Sequence, residues 1–204
     1  NHGDLDIHFD FSTLAGDHGD NITDVLNVGA TGATNSIDTA EGAPTLDKVS
    51  LSRACVDFPN SGDNDNILDM AASYTTAGKA MTFFIVFQWD AAATNTLVAS
   101  ADDSANDYIL LTTGGRMKFR LAGGTAANAI TSNTNNSTVD YTPAINTPTV
   151  MLIQRDASGI SYFFHDNNIF TAQLADTGDA NWTLGAIGGT TSGSIVDFNG
   201  KVCE

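Results

Sequence analysis

Apolar and polar residues alternate along several parts of this chain with the two-residue period of β-strands. In Met81–Trp89 every second residue is apolar, starting with Met81, and the intervening positions include Phe84 and Val86. A strand that is apolar on one face and partly apolar on the other is typical of the interior of a β-sandwich. The segment Asp4–Phe11 has the same period, with Asp and His between its apolar residues, which predicts a strand with one buried side.

Short apolar segments recur from residue 54 onward, and turn-forming residues such as Gly114–Gly115 and Asp166–Asn168 separate them. No segment keeps a helical period, so the pattern predicts an all-β protein in which two antiparallel sheets pack as a sandwich. The further predicted strands are Ala54–Phe58, Leu97–Ala99, Tyr108–Thr112, Arg116–Ala122, Thr149–Arg155, Ile160–His165, Ile169–Leu174, Thr183–Ile187 and Ile195–Phe198.

Two stretches, residues 12–50 and 123–148, are rich in small and polar residues and contain few apolar ones. We predict both to be long and irregular, with one short helical turn near Ile22–Val25. Long irregular stretches inside a compact domain are usually functional or packed against neighbours. At 204 residues the chain is most simply one domain.

The part of the chain from residue 54 to residue 204 resembles the laminin-G/concanavalin A-like jelly-roll superfamily in its turns and core strands. The resembling segments are Phe58 with Ser61–Asp63, Met81–Phe87, Met151–Asn167 with its central Gly159, Leu184–Gly188 and Phe198–Glu204. The resemblance implies a two-sheet jelly roll over 54–204, with 1–53 forming part of the same domain or an assembly arm. In that superfamily the last strand continues beyond the position of Glu204, so the final strand is expected to be incomplete, or the sequence to be a partial one.

The resemblance also places the two cysteines, Cys55 and Cys203, on adjacent strands. A disulfide between them is therefore sterically reasonable. Two buried thiols are the alternative.

Composition narrows the classes of function. The chain has 22 Asp but only two Glu, eight Lys plus Arg, and a net charge of −16. Because Asp favours turns and caps whereas Glu favours helices, this imbalance agrees with a protein made of strands and loops. Nucleic-acid binding needs clustered basic residues, and a membrane helix needs about 20 apolar residues in succession. The sequence therefore predicts neither a nucleic-acid partner nor membrane insertion.

Catalysis is not expected. Glucanases of the resembling superfamily use two glutamates on one strand, because a retaining glycosidase needs two carboxylates about 5–5.5 Å apart. Here Glu41 lies in a loop rich in Gly and Ala, and Glu204 is the last residue of the sequence. No strand carries such a pair.

Calcium is the cofactor that the loops favour, because hard cations bind several carboxylate and carbonyl oxygens. Two loops are dense in Asp and Asn, and domains of the resembling superfamily often hold Ca²⁺ at a loop rim. The alternative is that these residues are solvated turn residues. The candidate ligands are Asp63, Asp65 and Asp69 in one loop and Asp102, Asp103 and Asp107 in the other.

Four residues are candidates for ligand binding. Arg116, Lys118 and Arg120 fall on one face of a predicted strand, where they could contact an acidic glycan or a partner subunit, or pair with neighbouring aspartates. Trp182 lies in a predicted loop and could stack on a sugar ring, whereas Trp89 shares the apolar face of its strand and is expected to be buried.

These observations favour a non-enzymatic extracellular or virion-surface protein with a structural or adhesive role. The composition is similar to that of bacteriophage tail-fibre and capsid-decoration proteins, which implies sister subunits or a larger assembly as partners, and glycans as further ligands. The alternatives are a secreted microbial carbohydrate-binding module or adhesin and, third, a divergent polysaccharide hydrolase or lyase.

Overall fold

The computed structural model describes residues 5–49, 53–59, 66–78, 80–91, 95–100, 107–111, 117–120, 129–131, 144–157, 160–165, 168–175, 181–189 and 197–203. Within these ranges the backbone forms fourteen β-strands, two 3₁₀ turns at Phe11–Thr13 and Gly32–Asn35, and no α-helix. In chain order the strands are β1 (Ile37–Glu41), β2 (Thr45–Asp47), β3 (Cys55–Phe58), β4 (Ile67–Thr75), β5 (Met81–Trp89), β6 (Asn95–Ala99), β7 (Tyr108–Leu111), β8 (Met117–Arg120), β9 (Ala129–Thr131), β10 (Pro148–Arg155), β11 (Ile160–His165), β12 (Asn168–Ala175), β13 (Thr183–Ile187) and β14 (Gly200–Cys203).

The strands form two sheets of seven, and neighbours within each sheet are antiparallel. Sheet A has the order β1-β4-β13-β6-β7-β8-β9, and sheet B has the order β12-β11-β10-β5-β14-β3-β2. Eight central strands, β3, β4, β5, β6, β7, β10, β13 and β14, can be counted 1 to 8 along the chain, which gives the orders 2-7-4-5 in sheet A and 1-8-3-6 in sheet B. This is the strand order of a jelly roll, so the predicted all-β antiparallel sandwich is confirmed.

The core lies between the sheets. Phe87 and Trp89 of β5 are at most 1% exposed, and they belong to one apolar cluster with Leu97 of β6 and Leu184 of β13. Burying a large apolar side chain contributes about 1.5–3 kcal/mol. The indole nitrogen of Trp89 also donates to Oδ1 of Asn95 at 2.8 Å, so its polar atom is satisfied inside the core. The predicted burial of Trp89 is thereby confirmed.

The predicted amino-terminal strand is wrong. Of the segment predicted to be a strand, residues 5–11 are described, and only Phe9 makes an isolated bridge, to Asn27. Leu5 is 50% exposed, whereas Phe11 is buried in a 3₁₀ turn. The turn forms because the Asp10 carboxylate accepts a hydrogen bond from the backbone N–H of Ser12 at 3.0 Å, which directs the chain away from an extended path.

Residues 12–50 are more regular than predicted. Strand β1 pairs with β4 at one side of sheet A, and β2 pairs with β3 at one side of sheet B, so this stretch belongs to the same sandwich. The helical turn predicted near Ile22–Val25 is also wrong, because Val25 exchanges backbone hydrogen bonds with Ile37 at 2.9 and 3.0 Å. Ile22 and Val25 are both buried.

A side-chain contact also joins the segment before residue 12 to sheet A. The Tyr74 hydroxyl of β4 donates a hydrogen bond to the Asp6 carboxylate. Burial, the hydrogen bond to Asp6 and the charge of Asp6 together raise the pKa of Tyr74 to about 12. The phenol therefore keeps its proton, and remains a donor to Asp6, through the whole neutral range.

Three strands differ from the prediction in the rest of the chain. Strands β4 and β9 were not predicted, and Asp197, from the predicted strand Ile195–Phe198, makes only an isolated bridge to Thr96. The last described strand is β14 instead. Strand β4 pairs with a register shift against both neighbours, and its consecutive residues Ile67 and Leu68 are both buried.

We expect Gly200→Ala to destabilise the sandwich strongly. Gly200 has a φ of +152°, and a Cβ at this position would lie 2.0 Å from the backbone carbonyl oxygen of Gln88 in the adjacent strand β5. The clash and the backbone strain should lower the free energy of unfolding by about 3 kcal/mol. Urea unfolding measures this loss, and Gly78→Ala is the matched control, since no atom lies within 4 Å of a Cβ there. Equal stability of the two variants would contradict the close approach of β14 to β5.

Candidate functional site

The candidate site is an apolar patch on the outer face of sheet B. It consists of Phe84 and Val86 of β5 and Val150 and Leu152 of β10, which the register pairs directly as Leu152 with Phe84 and Val150 with Val86. Phe84 is 56% exposed and Val150 is 42% exposed, while the other two are half-buried. Alternation explains the exposure, because the residues between them, such as Ile85, point into the core.

The outward positions of β5 and β10 carry no charged residue. On either side of the patch, the outward positions of β5 and β10 are occupied by two cross-strand pairs, Gln154 with Thr82 and Pro148 with Gln88. The register also aligns Phe164 of β11 with Leu152, and Ile169 of β12 with Phe164, in the same cross-strand row. In a chain with a net charge of −16, an uncharged outer surface on two central strands is a distinct chemical region.

The sequence predicted this region only in part. The apolar residues Phe84 and Val86 signalled a second apolar face on β5. Among the described residues the two sheets pack on the other face of β5, and Phe84 is 56% exposed.

The predicted calcium ligands are not brought together in the described ranges. Asp69 is half-buried on β4 opposite Ala186 of β13, whereas Asp107 is 3% exposed and its Oδ2 accepts from the backbone N–H of Thr183 at 2.9 Å. Asp63, Asp65, Asp102 and Asp103 lie outside the described residues. Among the described residues no three His, Cys, Asp or Glu side chains are close enough to hold a metal ion. Calcium binding therefore stays a prediction from the sequence.

Calcium should raise the melting temperature if the two loops bind it, because an ion that binds only the folded state stabilises it by mass action. A free Ca²⁺ concentration about 100-fold above the dissociation constant contributes about 2.7 kcal/mol. Calorimetry with Ca²⁺, with Mg²⁺ and with a chelator measures the effect. Asp63→Asn with Asp65→Asn should abolish the shift if the first loop is responsible, and Asp102→Asn with Asp103→Asn should do so for the second. Identical melting temperatures with Ca²⁺ and with chelator would refute the site.

Trp182 is not a surface ligand-binding residue, so that prediction is wrong. Its side chain is 4% exposed and packs edge-on against Phe83 of β5, with ring centroids 5.4 Å apart. Its backbone N–H donates to the Thr76 hydroxyl and its carbonyl accepts from the Thr76 N–H, both at 2.9 Å. Asp, Ala and Asn precede Trp182, and these polar and small neighbours led to the prediction of a loop. Its burial comes from residues more than 90 positions away in the sequence, such as Phe83.

The predicted basic face lies on β8. Lys118 and Arg120 occupy alternate positions of that strand, where the register pairs them with Leu110 and Tyr108 of β7, and Arg116 lies outside the described residues. Alternate positions of one strand share a face. A ligand-binding role for these residues stays a prediction.

The two cysteines form the disulfide that the resemblance implied. Cys55 of β3 and Cys203 of β14 stand directly opposite each other in the register, and their sulfur atoms are bonded. The bridge joins residues 148 positions apart. Closing a loop of this length removes chain entropy from the unfolded state and contributes about 2–5 kcal/mol.

Comparison with known proteins gives no further assignment, because no protein-family model matches the chain and no curated protein matches it significantly. In the described part of the chain, no helix is long and apolar enough to cross a membrane.

Proposed function

We propose that this protein is a non-enzymatic structural or adhesive module of a cell exterior or virion surface, and that its copies assemble through the outer face of sheet B. The observation that carries the proposal is the uncharged apolar patch around Phe84 and Val150. Large apolar side chains that stand together on a protein surface mark interaction sites.

The partner that fits this patch is a second copy of the chain. Two molecules that each carry a net charge of −16 repel each other wherever their carboxylates meet. The outward residues of β5 and β10 are Thr, Gln, Pro and apolar residues, so two copies can approach there without opposing charges. A two-fold contact uses the same patch on both molecules and closes on itself, which suits a patch made of two adjacent antiparallel strands.

The extracellular or virion location rests on the disulfide. Disulfides persist in oxidising environments and are rare in the cytosol. The bond between Cys55 and Cys203 is buried in the structure, with both cysteines at most 4% exposed. The proposal also keeps the resemblance to laminin-G/concanavalin A-like modules of phage fibres and decoration proteins, which the jelly-roll strand order supports.

The oligomeric state tests the proposal. We expect light scattering to find a dimer or larger assembly of the unmodified protein, and Phe84→Ser with Val150→Thr to shift it to the monomer at the same concentration. The matched control is Leu26→Ser, because Leu26 is 58% exposed but lies outside the patch. Circular dichroism should show that all variants stay folded. A monomer at every accessible concentration, or equal dissociation by the control, would overturn the proposed assembly.

A second candidate function, carbohydrate binding, is favoured by one observation. The Phe84 ring is 56% exposed and is flanked by the Thr82–Gln154 pair, so an apolar ring face stands beside hydroxyl and amide groups that could bind sugar hydroxyls. A monomeric protein that binds a polysaccharide, and loses that binding with Phe84→Ser but not with Leu26→Ser, would replace assembly by this function.

A further inference from the structure

One amine and two carboxylates meet on the outer side of sheet B, on the strands that follow β5 toward the β2 edge. Lys201 of β14 places its Nζ 2.5 Å from Oδ2 of Asp47 and 3.0 Å from Oδ2 of Asp57. Asp57 stands opposite Lys201 in the register of β3, and Asp47 is the last residue of the neighbouring strand β2. The lysine and Asp47 are 154 positions apart in the sequence, so only the adjacency of β2, β3 and β14 brings them together.

The amine and the Asp47 carboxylate are both shielded from water. Asp47 is 1% exposed and Lys201 is 9% exposed, although both point away from the core. The chain segment before β1 lies against β2, because Gly19 and Asp20 exchange backbone hydrogen bonds with Leu46, each 2.8 Å long. Lys48 fixes the same segment by donating to the carbonyl oxygens of residues 14 and 16, at 3.2 and 2.6 Å.

The Asp47 carboxyl group is held in one orientation. Its Oδ1 accepts from the backbone N–H of Val49 at 2.8 Å and lies 3.5 Å from Nδ1 of His18. Its Oδ2 faces the lysine. The two oxygens therefore have different partners: one receives a fixed backbone donor and the other meets the amine.

We propose that Lys201 and Asp47 condense to an intramolecular isopeptide bond, with Asp57 as the group that transfers the proton. The bond is a covalent modification of the folded chain and does not depend on the proposed assembly function. It would join β14 to β2 across β3.

The atoms of this reaction balance without any added reagent. Asp57 takes a proton from the Lys201 ammonium and passes it to Oδ2 of Asp47, so that the neutral amine attacks Cγ of a neutral carboxyl group and forms the new C–N bond. The negative charge that develops on Oδ1 is stabilised by the Val49 N–H, in the manner of an oxyanion hole. A second proton from the amine then passes through Asp57 to Oδ2, the C–Oδ2 bond breaks, and one water leaves. An ammonium and a carboxylate become an amide and water, so no oxidant or cofactor is needed.

The fold supplies the conditions that this condensation needs. Two reacting groups held in contact react with effective molarities of about 10⁵–10⁸ M in favourable cases. Exclusion of water removes the medium that would hydrolyse the product or solvate the charged starting groups. Asp57 is suited to proton transfer because a third of its side chain is exposed, at 33%, whereas the Asp47 side chain is 2% exposed.

The charge of Lys201 beside the two aspartates determines the order of the reaction steps. Burial lowers the pKa of Lys201, but the hydrogen bonds to Asp47 and Asp57 and their charges outweigh it, so the net direction is upward. The amine is thus charged when the chain first folds, and a carboxylate must remove its proton before attack. Asp57 is the available acceptor, which makes the reaction dependent on that residue and slower than folding itself.

Mass spectrometry tests the proposal on the unmodified protein. We expect the intact folded protein to be lighter than its sequence by one water, in addition to the two hydrogens lost to the disulfide. After reduction and digestion, a branched peptide should join the segment that contains Asp47 to the segment that contains Lys201. A sequence mass without the loss of water, in protein left folded for days, would overturn the proposal and leave an ordinary ion pair.

Variants of Lys201 and Asp57 test the role of each residue in the condensation. Lys201→Arg keeps a cation beside both carboxylates but cannot form the amide, so it should retain the water. Asp57→Asn keeps the size of the side chain and should leave Lys201 and Asp47 unjoined, or join them at least tenfold more slowly. Loss of water from Lys201→Arg would show that another site is responsible, and condensation of Asp57→Asn at the unmodified rate would refute the role of Asp57. The mass of the unmodified protein shows whether the isopeptide bond forms. A variant that fails to fold therefore leaves that test intact.

Discussion

The sandwich depends on where β14 lies. This strand is the last of the described strands, yet it occupies the middle of sheet B, between β3 and β5. All four of its residues are buried, and the approach of Gly200 to β5 is so close that only glycine fits. The ring of Phe198, just before the strand, packs edge-on against Phe58 and Phe87 at 6.0 and 6.3 Å. Two contacts with residues near the start of the sandwich are made by this strand: the disulfide to Cys55, and the ion pairs of Lys201 with two aspartates.

The sequence predicted the elements that rest on local alternation and failed where distant residues decide. Strands β5, β11 and β13 and the β10–β11 hairpin were predictable, because each strand is long or apolar enough to show its period, or has a clear turn beside it. Strand β1, Ile-Asp-Thr-Ala-Glu, contains residues that disfavour strands, and it forms because β4 pairs with it. The burial of Trp182 and the meeting of Lys201 with Asp47 follow from strand order, which no local pattern contains. For the same reason the site of the apolar patch was only half predicted.

The preference for Asp over Glu has a structural explanation in the described residues. Several aspartates use their short side chains to accept hydrogen bonds from backbone N–H groups: Asp10 binds Ser12, Asp107 binds Thr183, and Asp197 binds Asn66 at 2.8 Å. In the first case the carboxylate ends an extended segment, and in the other two it is buried and satisfies a strand-end donor from a distant part of the chain. The carboxylate of Glu lies one methylene farther from the backbone, so it would not meet these donors at the same backbone geometry. The negative charge of the protein is thus partly a by-product of how its loops are closed.

The last two described strands, β13 and β14, also determine how the protein can misfold. Before β13 and β14 are in place, sheet A has a gap one strand wide between β4 and β6, and sheet B has the same gap between β3 and β5. Each gap exposes two rows of unpaired backbone donors and acceptors. A β13–β14 segment from another molecule has the same sequence and fits both gaps as well as the chain's own. This topology therefore permits domain swapping, which high protein concentration favours over the closure of each molecule on itself.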